Sequence, residues 1–154
     1  GDVEANSDEE VKQNWEKIKL TENNKGVLSG VPASLPPLVK AYRMQEKAAG
    51  VGFDWPHIDG VIQKIEEEIR EFYDEVNQKN QKRAEEEFGD LLFSLVNYAR
   101  FLGINPDDAL SNANQKFRKR FVKMESKISD RQIEMSQLDL DRWEKLWQEV
   151  KSEN

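Results

Sequence analysis

Four carboxylates with a repeated spacing are the residues of this sequence best suited to chemistry. They form two pairs, Glu68 with Glu71 and Glu87 with Asp90, and the second pair lies at the start of an apolar run that ends at Val96. Residues three apart on an α-helix lie on one face, a turn apart. An acid among many apolar neighbours is costly to bury unless a cation or hydrogen-bond donors compensate it. Two such helices facing each other would offer four carboxylates to a hard divalent cation such as Mg²⁺.

The second pair belongs to a polar stripe on a helix that is otherwise rich in Phe, Leu and Val. Glu87, Asp90, Ser94 and Asn97 follow the spacing i, i+3, i+7 and i+10. A helix that is apolar on nearly all sides is buried, so we expect this stripe to meet a partner inside the protein. The acids of the segment 66–71 are less specific, because an acid-rich stretch is often a solvated helix face; that alternative stays open.

The potential ligands restrict the kind of metal. Di-iron carboxylate bundles use Glu-x-x-His from two helices, whereas the companion positions here are Glu71 and Asp90. The single histidine, His57, follows a proline and is expected at the surface of a helix start. The absence of cysteine excludes disulfides, thiolate zinc sites and cysteine nucleophiles. An all-oxygen set favours Mg²⁺ or Mn²⁺.

Two further pairs place a cation one helical turn from a second functional group. Lys116 precedes Arg120 by four residues, and Trp147 precedes Lys151 by the same distance. Arg can hold phosphate oxygens with two hydrogen bonds, Lys adds a point charge, and an indole can stack on a base. A basic face that merely neutralises acidic neighbours, and a tryptophan that anchors the core, are the alternatives. Together with the acids, these groups would suit a polyphosphate.

Composition limits the partners. The 154 residues suffice for one domain, and the net charge of −7 disfavours a nucleic-acid polymer, whose binding requires a basic surface. No apolar stretch is long enough to cross a bilayer and nothing resembles a signal peptide, so we expect a soluble cytoplasmic protein without a membrane partner.

The elements that must position these residues are all predicted to be helices. Their ends are marked by the Pro36-Pro37 pair, by glycines and by the Asn105-Pro106 step. We predict helices at 7–20, 37–49, 57–78, 82–102, 106–127 and from Ser136 onward. Because no segment alternates like a strand, the fold class is all-α, with the helices at 57–78, 82–102 and 106–127 as the core of a bundle.

Taken in order, these motifs resemble the signature of the all-α nucleoside triphosphate pyrophosphohydrolases, and within them the C-terminal domain of the MazG family. The resemblance covers about 30–151. It is carried by Glu67-Glu68-x-x-Glu71, Glu87-x-x-Asp90, the Lys116 and Arg120 helix, and the terminal Trp147 and Lys151, with Lys64 and Asn97 between them.

The resemblance implies a role for each of these residues. It implies that the Mg²⁺ ligands are Glu68, Glu71, Glu87 and Asp90. It also implies that Glu67 helps to position the metal or a water molecule. It also implies nucleotide contacts at Lys64, Asn97, Lys116, Arg120, Trp147 and Lys151. About four core helices per subunit and a homodimer or higher homo-oligomer are expected, because family members generally assemble in this way. On this basis 30–154 is the catalytic domain, an excised C-terminal half, and 1–29 a linker helix and loop.

The predicted function is Mg²⁺-dependent hydrolysis of (deoxy)nucleoside triphosphates to monophosphates and pyrophosphate, which removes unwanted nucleotides from the pool. The alternative is a non-catalytic helical module for dimerisation or nucleotide sensing. A structural bundle with a solvated acidic face is a third interpretation, and it predicts no Mg²⁺-dependent thermal shift.

Overall fold

The computed structural model describes residues 26–153, and in this range the chain is helical without any strand. The helix predicted at 7–20 lies outside the described residues. The all-α prediction is confirmed for the described part. Its helices are α1 (Pro37–Gly50), α2 (Ile58–Asn77), α3 (Gln81–Phe101), α4 (Pro106–Asp130) and α5 (Leu140–Ser152), with a short 3-10 turn at Met135–Gln137.

Local chemistry explains where the helices begin. The Asn80 side chain accepts a hydrogen bond from the Arg83 amide at 3.3 Å and caps α3. The last helix begins later than predicted, at Leu140 rather than Ser136. Its cap is Asp139, whose carboxylate accepts a hydrogen bond from the Arg142 amide at 2.9 Å. The preceding residues form the 3-10 turn instead.

The chain divides into two compact units, and the division falls between Asp107 and Asp108. In the described part of the first unit, α2 packs along α3, and α1 packs against α3. Its buried apolar side chains include Val61, Ala84 and Val96. These contacts make α2 and α3 the scaffold of the acid pairs.

The second unit contains nearly all of α4 together with α5. Met124 and Ile128 of α4 are buried against Leu146 and Val150 of α5. The predicted core of 57–78, 82–102 and 106–127 did not include α5, against which α4 buries these side chains.

Two apolar stripes of the first unit remain exposed. Each set follows the spacing i, i+4, i+7 on one side of its helix, and its side chains are 41–63% exposed. The apolar stripes are Ile69, Tyr73 and Val76 on α2, and Phe88, Leu92 and Leu95 on α3. The expectation that α3 is buried nearly all round is thus wrong for the single chain. The Phe88 ring of the α3 stripe also contacts α2, since its centroid lies 5.3 Å from that of Phe72.

None of the described helices is both long enough and apolar enough to cross a membrane.

Candidate active site

Three of the four predicted metal ligands come together between α2 and α3. Oxygen atoms of Glu68, Glu71 and Glu87 all lie within 4.8 Å of one another. Glu68 and Glu71 share a face of α2 because they are three residues apart, and Glu87 faces them from α3. Glu68 is only 3% exposed, and the other two side chains are partly buried. We call this group the carboxylate cluster.

Burial and the closeness of the three acids shift the pKa values of Glu68 and Glu87. Its hydrogen bond with Glu68, its burial and the nearby Glu71 raise the pKa of Glu87 to about 7. Burial also acts to raise the pKa of Glu68, but hydrogen bonds with Lys64 and Glu87 outweigh it, and the pKa falls below its ordinary value. The carboxylate cluster therefore retains a proton near neutral pH, and Glu87 is the acid whose pKa is raised.

The carboxylate cluster fits a hard cation. One carboxylate oxygen of Glu68 and one of Glu87, both Oε2, are buried without a hydrogen-bond partner. Buried polar atoms are normally satisfied, so unpartnered oxygens within an acidic cluster indicate a missing cation or donor. Oxygen donors alone suit Mg²⁺ or Mn²⁺ better than a softer metal.

The fourth predicted ligand, Asp90, lies one turn after Glu87 on α3 but is exposed. The expectation that this acid is buried among apolar neighbours is wrong in the single chain, because Phe88, Leu92 and Phe93 around it are themselves more than 40% exposed. Its spacing from Glu87 still directs it to the same side of α3. A role as a metal ligand stays a prediction.

Lys64 and Asn97 are engaged with protein groups. The ammonium of Lys64 lies 2.9 Å from a carboxylate oxygen of Glu68 and 3.7 Å from one of Glu67, which is about half exposed. The Asn97 side chain accepts a hydrogen bond from the Arg100 guanidinium at 3.1 Å. In this structure Lys64 therefore pairs with Glu68 beside the carboxylate cluster. Asn97 takes part in a contact that the sequence did not suggest.

That contact is an ion pair between Arg100 and Asp54. The two guanidinium NH groups of Arg100 donate to the two carboxylate oxygens of Asp54, one of them at 3.1 Å. Asp54 also accepts a hydrogen bond from the Trp55 amide at 2.9 Å, and the Trp55 ring lies against Gly60. The pair fixes the loop before α2 to the last turn of α3. Opposite charges 46 residues apart carry no local spacing signal, so sequence reasoning missed it.

The predicted phosphate contacts lie in the second unit. The guanidinium of Arg120 lies over the Trp147 ring, 5.4 Å from its centroid, and Phe117 is 5.9 Å from the same ring. Lys116 and Arg120 line a shallow groove of about 440 Å³. Three more residues line the groove and follow the same helical spacing: Asn112, Gln115 and Lys119. Of these, Asn112 carried no signal in the sequence. Lys151 is exposed one turn after Trp147.

The comparisons with known proteins agree with this geometry. Residues 58–124, which include the whole carboxylate cluster, match the family model of the MazG nucleotide pyrophosphohydrolase domain. Over this segment the chain matches the MazG family. The resemblance predicted from the motifs is confirmed.

Curated relatives extend the match to most of the chain. A nucleoside triphosphate pyrophosphohydrolase of Escherichia coli (strain K12) is 42% identical over 156 residues, which cover 97% of this chain and 59% of that protein. The nucleoside triphosphate pyrophosphohydrolase/pyrophosphatase MazG of Thermotoga maritima is 41% identical over 140 residues, covering 89% of this chain and 54% of that protein. The chain thus spans little more than half the length of these relatives.

Proposed function

We propose that this MazG-family chain hydrolyses (deoxy)nucleoside triphosphates to nucleoside monophosphates and pyrophosphate with the help of Mg²⁺. The observation that carries the proposal is the carboxylate cluster, in which two buried oxygens have no partner. The names of the relatives support the nucleotide substrate and the pyrophosphate product. Removal of unwanted nucleotides from the cytoplasmic pool is the role we infer for this reaction.

In this proposal Glu68, Glu71 and Glu87 hold the metal, and Asp90 completes the set by turning inward from its exposed position. A Mg²⁺ ion held by these carboxylates would neutralise charge on the triphosphate and lower the pKa of a water molecule. The water oxygen attacks the α-phosphorus, and the bond from the α-phosphorus to the bridging oxygen of the β-phosphate breaks. The water loses one proton to solvent or to a carboxylate of the cluster, with Glu67 helping to orient it.

For residues of the second unit we propose nucleotide-binding roles. Lys116 and Arg120 provide positive charge for the departing pyrophosphate, whose negative charge grows in the transition state. Trp147 offers an indole face for the base, with Lys151 beside it. The ring already accepts the Arg120 guanidinium, so its face is suited to flat cationic or aromatic groups.

We further infer that the protein is a homodimer joined through the apolar stripes of α2 and α3. Their large side chains are exposed although the described first unit buries few apolar residues. Two antiparallel helix pairs that meet face to face would form a four-helix bundle around a twofold axis, and each copy would cover the stripes of the other. The carboxylate cluster lies between the same two helices.

Product analysis tests the proposed reaction. The protein is incubated with mixed nucleoside triphosphates and MgCl₂, and phosphate products are separated. We expect pyrophosphate without orthophosphate, and loss of product when EDTA removes the metal. A dimerisation module or a nucleotide sensor would release neither product, and orthophosphate would indicate a different reaction.

Asp90→Asn is the sharpest variant in this assay. Replacing a metal-binding carboxylate by an amide should reduce turnover roughly 100-fold or more, while the exposed position should leave the helical circular dichroism spectrum unchanged. Glu66→Gln is the matched control, since it removes an exposed acid from another face of α2. Full turnover in Asp90→Asn would remove this residue from the metal site.

A further inference from the structure

The ammonium of Lys64 forms an ion pair with Glu68 at the edge of the carboxylate cluster. It lies one helical turn before Glu68 on α2, 2.9 Å from Oε1 of that residue, and it reaches Oε2 of Glu67 at 3.7 Å. Oε2 of Glu68 has no partner and is buried. One oxygen of the same carboxylate is thus bound by a cation of the protein, and the other is left for a ligand.

Burial explains why such a cation is needed in the absence of metal. The Glu68 side chain is 4% exposed, whereas that of Lys64 is 37% exposed. An ionised carboxylate buried beside two other acids is strongly unfavourable unless positive charge compensates it. The flexible lysine side chain brings this charge from the solvent side.

We propose that Lys64 is a placeholder cation: it neutralises Glu68 while the cluster holds no metal, and it gives up that contact when a divalent cation binds. The inference rests on the proposed metal site and deepens it. Once displaced, the ammonium remains beside the cluster and is free to meet an anionic substrate. The predicted nucleotide contact of Lys64 and its observed ion pair would then belong to two states of one site.

The sign of the effect on metal affinity follows from two opposing contributions. Lys64 orients Glu68, which favours metal binding, and it repels a divalent ion a few ångströms away, which opposes binding. Glu68 is only 3% exposed, so packing already restricts its rotamers and little entropy is left for Lys64 to remove. Repulsion between the ammonium and the divalent ion is then the larger contribution. Removing the charge should therefore strengthen Mg²⁺ binding.

Calorimetric titration with MgCl₂ in the absence of nucleotide tests this inference. Lys64→Met should bind Mg²⁺ roughly fivefold more tightly than the unmodified protein, as expected for loss of one nearby unit charge. In EDTA the same variant should melt at a lower temperature, because Glu68 loses its partner. Lys64→Arg keeps the charge and should retain both properties. Lys145→Met removes an exposed lysine of α5 and should change neither.

Unchanged or weaker Mg²⁺ binding by Lys64→Met would overturn the proposal that Lys64 is a placeholder cation. Lys64→Gln gives the same test if the Met variant does not fold. A simple phosphate contact would leave Mg²⁺ binding unaltered and act only on nucleotide. A purely structural lysine would lower the melting temperature without strengthening metal binding. If the unmodified protein bound no Mg²⁺, the proposed metal site itself would fall.

Discussion

At the scale of single residues, the unusual property of the carboxylate cluster is a proton retained near neutral pH. Glu87 keeps this proton because Glu68 accepts its hydrogen bond and Glu71 adds a second negative charge nearby. Metal binding requires the carboxylates to be free of protons. The cluster therefore gains affinity for a divalent cation as the pH rises towards the pKa of Glu87.

The same shift makes the stability of the metal-free protein depend on pH. The pKa of Glu87 is about 7 in the folded chain, above its ordinary value of 4.5. Folding thus favours the protonated form, and this group lowers stability progressively as the pH rises from about 4.5 to about 7. The pKa of Glu68 is lowered instead, so this group favours the folded chain above about pH 4.5 and loses that contribution as the pH falls further.

We expect the melting temperature in EDTA to fall between pH 5 and pH 7.5. Glu87→Gln cannot ionise at this position, so it should lose most of that fall. Thermal denaturation of both proteins across this range provides the measurement. Identical pH profiles would show that Glu87 does not retain a proton in the folded chain.

At the scale of elements, the ion pair of Arg100 with Asp54 holds the loop before α2 in place. Its side chains are 13% and 24% exposed, so solvent screens the pair only in part. Asp54→Asn should lower the free energy of unfolding by about 1–2 kcal/mol, since the guanidinium loses its charged partner. Urea denaturation measures this change. Arg43→Met breaks a more exposed pair with Glu46 and should cost less than about 0.5 kcal/mol; equal effects would contradict the structural role of the loop contact.

The helices themselves could be predicted because residues near their ends carry local signals. Pro37 and Pro106 lie at first helical positions, and Gly103, with a φ of 69°, follows α3. The late start of α5 was missed because Ser136 is an equally acceptable cap by type. The nearby Asp139 was the better signal, since it satisfies the amide of Arg142.

The sequence did not predict which surface packs against each helix, because local signals do not carry that information. An apolar stripe such as Phe88, Leu92 and Leu95 shows that a surface needs to be covered, but not by what. For this reason the expected burial of Asp90 is wrong in the single chain. Spacing placed Glu68 and Glu71 on one face of α2, whereas the approach of Glu87 from α3 followed only from the resemblance. The contact between Arg100 and Asp54 depends on the tertiary fold and leaves no pattern in the sequence.

At the scale of the whole molecule, the exposed apolar stripes predict self-association. Leu92 is 41% exposed in the single chain, so Leu92→Glu should be tolerated by the chain but should place a charge in the proposed dimer interface. We expect this variant to sediment as a monomer where the unmodified protein sediments as a dimer. Leu140→Glu, at an 82% exposed position of α5, is the control and should remain a dimer. A dimeric Leu92→Glu protein would place the interface elsewhere.

The central claim is that the carboxylate cluster directs water to the α-phosphorus of a nucleoside triphosphate, and isotope labelling tests it most directly. The reaction is run with Mg²⁺ in water enriched in oxygen-18, and the products are analysed by mass spectrometry. The account predicts one labelled oxygen in the nucleoside monophosphate and none in pyrophosphate, with no turnover by Glu68→Gln. Label in pyrophosphate, or full turnover by that variant, would contradict it.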